Sequence, residues 1–308
     1  MILSAGLTPA WQQTLVFDGF SPGEVNRAIE VHWCSSGKVL NAGLAVHYLG
    51  GRSRTLSVVG GMARPQIEQE FADAGVDARW IVTQGRTRVC TTIIDRTNHR
   101  ITELVEEAPA LTEHEVEAFH AAYEDEAAEA AVAILIGSLP ENVPTDTYRE
   151  LVDSTVCPVI LDFRGEGLRQ TLDFEPLLVK PNREELANTV ERPLPTAADV
   201  HRAMRELNES GARWVLVTQG NGPIWLSSRD ELYELQPLPA ETIVNTVGCG
   251  DSMAAGIAWG VREGHEMVDA ARLGVAAATE NLGTILPARF DGSRVRVLAE
   301  RVEVKRLD

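Results

Sequence analysis

The stretch with the clearest chemical character is VNTVGCGDSMAAG at 244–256, where Gly248, Cys249 and Gly250 precede Asp251 and a segment typical of a helix. Glycine adopts backbone angles closed to other residues, and its small size lets several N–H groups converge on one point. A helix start adds a partial positive charge, so the segment predicts an anion hole for the oxygens of a transferring phosphoryl group. Asp251 would stand beside it and accept a proton from an attacking hydroxyl as general base.

The same letters are also typical of a tight turn followed by an acid that complements the helix dipole. The chain has no GxxxxGKS/T phosphate-binding loop, because SSGKVLN (35–41) lacks both the upstream glycine and the following Ser/Thr. GxGD alone therefore leaves both interpretations open.

Charge and composition exclude several classes of function. The 308 residues include 45 acidic and 28 basic side chains, a formal net charge of −17, with no Lys/Arg cluster. Such a surface repels nucleic acid. The chain is long enough to bury a large core, and 44% of its residues are hydrophobic.

Cysteine spacing and apolar runs indicate a cytoplasmic protein. The four cysteines, at 34, 90, 157 and 249, are too scattered for a zinc ribbon or a CxxC redox site, and they fit a reducing cytosol. MILSAGLTPAW at 1–11 lacks the features of a signal peptide, and AAVAILIGSLP at 130–140 is too short to span a membrane. We therefore expect no membrane association.

Strand-like runs alternate with helix-like segments along the chain. Thr112 with Glu115 predicts a capped helix to about residue 130, Asn182 with Glu185 predicts another start, and 196–211 predicts a helix that ends at a glycine. Strands are predicted at 54–60, 131–137, 158–163, 177–180, 213–218 and 241–244. This alternation predicts an α/β fold with a doubly wound, mostly parallel sheet flanked by helices on both faces.

Two stretches, 13–35 and 87–107, interrupt the alternation with strand-like runs separated by turn residues, and TNHR at 97–100 predicts a hairpin tip. We expect these insertions to pair into a small β-sheet lid within a single domain spanning 1–308. A lid beside a doubly wound sheet would cover the strand ends where ligands commonly bind.

Five stretches of this sequence resemble the ribokinase-like, or PfkB, sugar kinases. VNTVGCGDSMAAG resembles their C-terminal signature and SSGKVLNAGLAVHYLGG (35–51) their N-terminal one. Three further stretches match in order: IGSLPENVP (136–144), LVKPNREEL (178–186) and VTQGNGPIWL (217–226). PGEVNR (22–27) and Asn245 are similar to the branch of 1-phosphofructokinase and tagatose-6-phosphate kinase. The resemblance covers nearly the whole chain.

The resemblance implies an ATP-dependent kinase that phosphorylates a hydroxyl of a sugar or sugar phosphate. It implies that Asp251 is the base and that Gly248, Cys249 and Gly250 form the anion hole. It also implies nucleotide-binding roles for Lys180 near the ATP phosphates, Asn182, Thr218, Gly220 and Gly222 along the nucleotide, and Asn281 at the adenine.

Asn182 and Glu185 match the family's NxxE motif, which implies that they organise Mg²⁺ through water. Magnesium gives up its waters reluctantly, so indirect binding suits it. On local sequence alone, a plain helix cap is the alternative.

The acceptor half departs from the family pattern. By resemblance, Gly37, Lys38, Asn41 and Arg88 hold the sugar and its existing phosphate, whereas surface charge and a helix-start asparagine are the alternative interpretation. Gln12 stands where the branch usually has an acid that grips sugar hydroxyls. Further departures fall at Thr8, Val39, Val105, Phe163 and Arg164, and a valine at 39 would resist a positive φ. The identity of the acceptor is therefore open.

Two other functions stay open. One is a kinase of another hydroxylated compound such as a nucleoside, against which PGEVNR and Arg88 argue. The other is a non-catalytic nucleotide-binding regulatory protein, against which Asp251 argues. The resemblance also implies a possible homodimer through the lid.

Cys249 replaces the family's usual alanine. At a helix start, its thiol would be stabilised as a reactive thiolate. The alternative is a small residue tolerated in a tight turn.

Overall fold

The computed structural model describes residues 1–307, and its largest element is a ten-stranded sheet with the order β14-β13-β12-β11-β10-β9-β8-β1-β4-β5. Fourteen strands, numbered in chain order over two sheets, are β1 (Ile2–Gly6), β2 (Ala10–Phe17), β3 (Glu30–Ser36), β4 (Ser53–Gly60), β5 (Asp77–Thr83), β6 (Arg88–Asp95), β7 (Arg100–Val105), β8 (Val132–Ile136), β9 (Val159–Asp162), β10 (Leu178–Val179), β11 (Trp214–Val217), β12 (Ile224–Ser227), β13 (Leu232–Leu235) and β14 (Val304–Arg306). Pairing is parallel from β5 to β11 and antiparallel from β11 to β14.

Helices cover both faces of this sheet, as predicted. They are α1 (Lys38–Tyr48), α2 (Arg64–Ala74), α3 (Glu113–Glu129), α4 (Thr147–Asp153), α5 (Glu166–Arg169), α6 (Arg183–Thr189), α7 (Ala197–Glu209), α8 (Cys249–Arg262), α9 (Met267–Leu282) and α10 (Gly292–Ala299). Alternate residues of a strand point to opposite faces. Ile2 and Ile134 accordingly pack with α1, α2 and α8–α10, whereas Leu3 and Leu135 pack with α3–α7. Because both faces of the sheet are buried, its parallel strands consist of continuous apolar runs.

Local capping signals set three helix starts where the sequence predicts them. Thr112, Asn182 and Thr196 each accept a hydrogen bond from the backbone of the third helical residue, whose acidic side chain bonds back to the cap. These reciprocal bonds satisfy N–H groups that a helix start otherwise leaves free.

A second sheet, here called the lid sheet, has four strands in the order β3-β2-β6-β7. Its strands come from residues 10–36 and 88–105, close to the two interruptions in the sequence pattern. The turn between β6 and β7 covers 96–99, so the predicted hairpin tip at TNHR is correct. One face of the lid sheet looks toward the carboxyl ends of the parallel strands, which places a cleft between the two sheets.

The predicted strand at 241–244 is wrong. This segment is irregular and partly exposed, and Ile243 is 58% exposed. Its β-branched residues favour extended backbone, but none of the strands within residues 1–307 pairs with them. Instead, Val244 N–H donates to Leu282 O at the end of α9. Within residues 1–307, no helix has the length and apolar character needed to cross a membrane.

Candidate active site

Two adjoining cavities form one cleft at the carboxyl ends of β9, β10 and β11. A cavity of about 520 Å³, here called the lid cavity, lies against the inner face of the lid sheet. A second cavity of about 540 Å³, here called the apolar cavity, is lined mainly by aliphatic residues, among them Pro237, Leu238, Ile243, Met253 and Val275. The two share four lining residues, Thr218, Gly220, Thr246 and Gly250. Strand ends of a doubly wound sheet are the expected place for a ligand.

The start of α8 lies where the two cavities meet. Gly248 has φ +82°, and a Cβ there would come within 2.8 Å of Pro287 Cβ, so only glycine fits. Among the described residues, the N–H groups of Gly248, Gly250 and Asp251 donate to no other protein atom. The N–H of Cys249 makes only a long bond, 3.4 Å, to Thr246 O. These converging donors at a helix start are suited to an anion.

Gly250 acts through its size rather than its backbone angles. It lies inside α8 without a positive φ, so the expectation of two specially angled glycines holds for Gly248 only. A Cβ at Gly250 would lie 3.6 Å from Lys180 Nζ. The missing side chain keeps the space between the helix start and this ammonium open.

Asp251 is buried at the floor of the lid cavity, 6% exposed, and its Oδ2 accepts a hydrogen bond of 2.8 Å from Asn41 Nδ2. Ser36 Oγ donates in turn to Asn41 Oδ1 at 3.2 Å, which fixes the orientation of the amide. Burial raises the pKa of Asp251 to about 6, although Lys38 lowers it. A carboxylate with a pKa near neutrality can exchange a proton under working conditions.

Two lysines meet at Asp162, the last residue of β9. Its Oδ1 lies 2.9 Å from Lys38 Nζ and its Oδ2 lies 2.7 Å from Lys180 Nζ. Burial alone would raise the pKa of Asp162, but the two ammonium groups lower it overall. Asp162 therefore stays ionised and holds both cations beside the anion hole.

Lys38 also contacts Glu185 Oε1 at 3.3 Å. Burial by itself lowers the pKa of Lys38, but the charges of Asp162, Glu185 and Asp251 raise it overall. Lys38 is thus a firmly charged ammonium in the wall of the lid cavity.

Asn182 and Glu185 form the helix cap that was the alternative interpretation of NxxE. Asn182 Oδ1 accepts from Glu185 N at 2.8 Å, and Glu185 Oε2 accepts from Asn182 N at 2.9 Å. No group of three or more His, Cys, Asp or Glu within residues 1–307 could hold a metal ion. Both side chains still line the lid cavity. They fit Mg²⁺ only through water and ligand phosphates, which is how this ion is commonly bound.

The lid sheet presents Gln12 and Arg88 to the lid cavity. Gln12 Nε2 donates to Thr92 Oγ1 at 2.8 Å. The guanidinium of Arg88 donates to three backbone carbonyls: Thr8 O at 3.0 Å, Pro9 O at 3.3 Å and Glu106 O at 3.1 Å. Arginine has five N–H donors, so two remain for a ligand.

Gly37 and Val39 explain the altered start of α1. Gly37 has φ +86°, and a Cβ there would lie 2.9 Å from Thr8 O and Ala10 N. Val39 lies within α1 and is buried, so the expected conflict with a positive φ does not arise. Phe163 is also buried, stacking on Tyr148 at 3.8 Å between ring centroids. Val39 and Phe163, two of the departures from the family pattern, therefore pack in the protein interior.

Two predicted nucleotide residues lie outside the cleft. Gly222 does not line either cavity and packs against the Gln219 side chain. Asn281 is fully buried: its Nδ2 donates to Val247 O at 2.8 Å, and its Oδ1 accepts from Ala288 N at 2.6 Å. The expectation that Asn281 lines the adenine site is therefore not met; it braces the loop before α8 from below.

The surroundings of Cys249 do not favour the expected thiolate, whose reactivity stays a prediction. Burial raises the pKa of its thiol to about 11, and the charge of Asp251 acts in the same direction. Asn281 Nδ2 lies 3.3 Å from its Sγ, too weak a contact to reverse this. Cys249 is partly exposed and lines the apolar cavity.

Sequence reasoning missed Asp162 and Glu103 as functional candidates. Asp162 carried a detectable signal, because an acid at the end of a buried strand points to the ligand edge of the sheet. The sequence signal for Glu103 was weaker, because the face of the lid sheet on which its side chain lies depends on the register between β6 and β7.

Comparison with known proteins identifies relatives for nearly the entire chain. A model of the pfkB family of carbohydrate kinases matches residues 9–287. A protein described as a possible 1-phosphofructokinase from Thermotoga maritima superposes with a TM-score of 0.91 at 21% identity, covering 100% of this chain and 99% of that one. Phosphofructokinase-2 from Escherichia coli in complex with fructose-6-phosphate superposes with a TM-score of 0.83 at 24% identity, covering 97% and 99%. Ribokinase from Arabidopsis thaliana, complexed with ribose and ATP, gives 0.74 at 19%, covering 97% and 98%. At these identities the superpositions establish the ribokinase-like fold.

Proposed function

Because the chain belongs to the pfkB family of carbohydrate kinases, we propose that it transfers the γ-phosphoryl group of ATP to a hydroxyl of a sugar or sugar phosphate bound in the lid cavity. The observation that carries this proposal is the buried Asp251 beside free N–H groups at the start of α8, with Lys180 opposite. Base, anion hole and cation are the parts that phosphoryl transfer needs.

The apolar cavity is suited to the base of the nucleotide. The aliphatic side chains that line it can make dispersion contacts with the flat ring of a nucleotide base. The cavity opens at Thr218 and Gly220 toward the start of α8. The phosphates would then reach the N–H groups of Gly248 and Gly250 and the ammonium of Lys180. Mg²⁺ would supply charge neutralisation on the phosphates, held through water by Asn182 and Glu185.

Asp251 would activate the acceptor. Asn41 occupies Oδ2, which leaves Oδ1 to accept the proton of the attacking hydroxyl. The N–H groups of the anion hole then stabilise the charge that develops on the transferred group. Gly37 keeps the neighbouring backbone close, and Lys38 and Arg88 offer positive charge to an acceptor phosphate.

The experiment that tests this function is a screen of purified protein with ATP and Mg²⁺. The acceptors are fructose, fructose 1-phosphate, fructose 6-phosphate, tagatose 6-phosphate and adenosine, with products identified by mass. Transfer to a sugar or sugar phosphate supports the proposal. Transfer to adenosine alone identifies a nucleoside kinase, and ATP binding without transfer to any of the five identifies a regulatory protein.

We also propose that the lid sheet is an insertion within one domain and that its outer face pairs with a second copy. The register places Val31, Trp33 and Leu104 on the face opposite the cavity, where they are 52%, 45% and 55% exposed. Large exposed apolar side chains on one sheet face are typical of an interface. Light scattering should give a dimer that Trp33→Asp converts to a monomer; a monomeric parent protein would contradict the proposal.

A cytoplasmic location is the natural setting for this function, because ATP is supplied there. The four cysteines are free in the structure, as a reducing compartment requires. Fractionation of cells should recover the protein in the cytosol, and recovery in a membrane or secreted fraction would contradict this.

A further inference from the structure

Glu103 lies in the middle of β7, on the face of the lid sheet that looks into the lid cavity. It pairs with Thr92 of β6, whose hydroxyl accepts the hydrogen bond from Gln12 of β2. Gln12 is paired with Cys90, two residues from Thr92, so Gln12 reaches Thr92 diagonally, and the three side chains lie on the same face of the lid sheet. Of the three, Gln12 and Glu103 line the lid cavity, where an acceptor would lie.

Four carboxylates line this cavity, and three of them have partners within it. Asp162 is held by the two lysines, Glu185 by Lys38 and the backbone of α6, and Asp251 by Asn41. Glu103 forms no hydrogen bond or ion pair through its side chain with any residue of 1–307. It is the carboxylate that is left free to bind a ligand.

A carboxylate without a protein partner in this position is suited to accept hydrogen bonds from a ligand. The side chain of Glu103 is exposed to the solvent that fills the lid cavity, and partial desolvation by its neighbours raises its pKa with no cation nearby to lower it. Hydroxyl groups donate strong, short hydrogen bonds to an ionised acid, which would compensate that desolvation when a polyol is bound.

We propose that Glu103 binds one or two hydroxyl groups of the acceptor and thereby helps to select it, an inference that rests on the proposed kinase function. The residue would position the sugar from the lid side, while Asp251 acts on the reacting hydroxyl from the floor.

The test compares Glu103→Gln with Glu107→Gln, which removes the same charge from an exposed site outside the cavity. The probe is whichever of fructose, fructose 1-phosphate, fructose 6-phosphate and tagatose 6-phosphate the parent protein phosphorylates with the highest kcat/KM. Glu103→Gln should raise the acceptor KM at least about 10-fold, with kcat and the ATP KM within about 3-fold, because a site built to bind hydroxyls loses a charge-assisted bond. Glu107→Gln should leave all three constants unchanged.

A second variant separates binding from a general effect on the lid. Gln12→Asp places a carboxylate on the same wall of the lid cavity, and in the Glu103→Gln background it should recover part of the lost affinity. An acceptor KM within 2-fold of the parent value in Glu103→Gln would overturn the inference and leave the kinase function standing. Lack of transfer to all four acceptors would overturn both.

Discussion

The start of α8 and the inner face of the lid sheet line the same cleft, yet they present different kinds of groups to it. At α8 the donors are backbone N–H groups of Gly248, Gly250 and Asp251. On the lid the polar groups are side chains: Gln12 and Arg88 can donate hydrogen bonds, and Glu103 can accept them. A site whose donors are backbone N–H groups keeps its binding function when a side chain changes, as long as the space stays open. This explains why a cysteine can occupy position 249. A site made of side chains changes its ligand one residue at a time.

Filling the space at Gly250 should have the largest effect on the α8 side. A Cβ fits sterically, 3.6 Å from Lys180 Nζ, but it enters the volume that a transferring phosphoryl group needs. Gly250→Ala should lower kcat by about 10²–10³-fold, as loss of an oxyanion donor does. Gly283→Ala is the matched control, since its Cβ would meet Glu280 O at the same 3.6 Å. Equal activity of the two variants would mean that α8 does not receive the phosphates.

Replacing Arg88 should change the KM for the acceptor and leave the KM for ATP nearly unchanged. Arg88→Met should raise the acceptor KM by about 10–100-fold, because a bidentate contact to an anionic or hydroxyl group is lost, while the ATP KM stays within about 3-fold. Arg86→Met, at an arginine that is 66% exposed and pairs with Glu106, serves as control. A rise in the ATP KM alone would show that the two halves are assigned the wrong way round. Lys38→Met should shift the same constant in the same direction.

The pH dependence should follow Asp251. Its pKa is raised to about 6, so the carboxyl is increasingly protonated below that pH and can no longer accept a proton. The value of kcat/KM should be level above about pH 7 and fall roughly tenfold per unit below about pH 6. A profile that stays level down to pH 4.5 would contradict the role of a base with this pKa.

Cys249 should show the smallest effect. Its thiol is partly exposed at the apolar cavity, and desolvation raises the pKa of the thiol to about 11. Cys249→Ala should therefore change kcat less than about 3-fold, and limited alkylation at pH 7 should leave Cys249 largely unmodified. Rapid labelling that removes activity and is prevented by Mg-ATP would restore the reactive interpretation.

The scaffold could be predicted from sequence because its signals are local. Capping residues at Thr112, Asn182 and Thr196 set helix starts, and apolar runs set the parallel strands. The conformation of 241–244 could not be predicted, because its β-branched residues are compatible with both a strand and an extended loop. Pairing with a neighbouring strand decides between the two. Burial was equally hidden: Asn281 is fully enclosed and braces the loop before α8, although the resemblance implied a position at the adenine.

The identity of the acceptor contacts was hidden for a related reason. Whether Glu103 faces the cavity depends on the register between β6 and β7, and a slip of one residue would turn it outward. Asp162 likewise became visible as the link between Lys38 and Lys180 only when three distant segments met.

The central claim is that Asp251 is the base of a phosphoryl transfer and is not needed to hold ATP. The direct measurement is transfer by Asp251→Asn to the best acceptor of the screen, made alongside ATP binding by titration calorimetry on the same sample. The amide can still accept the bond from Asn41, so the fold should persist. We predict a loss of about 10²–10⁴-fold in kcat with the Kd for ATP within about 3-fold. A kcat within a few-fold of the parent value would contradict the claim.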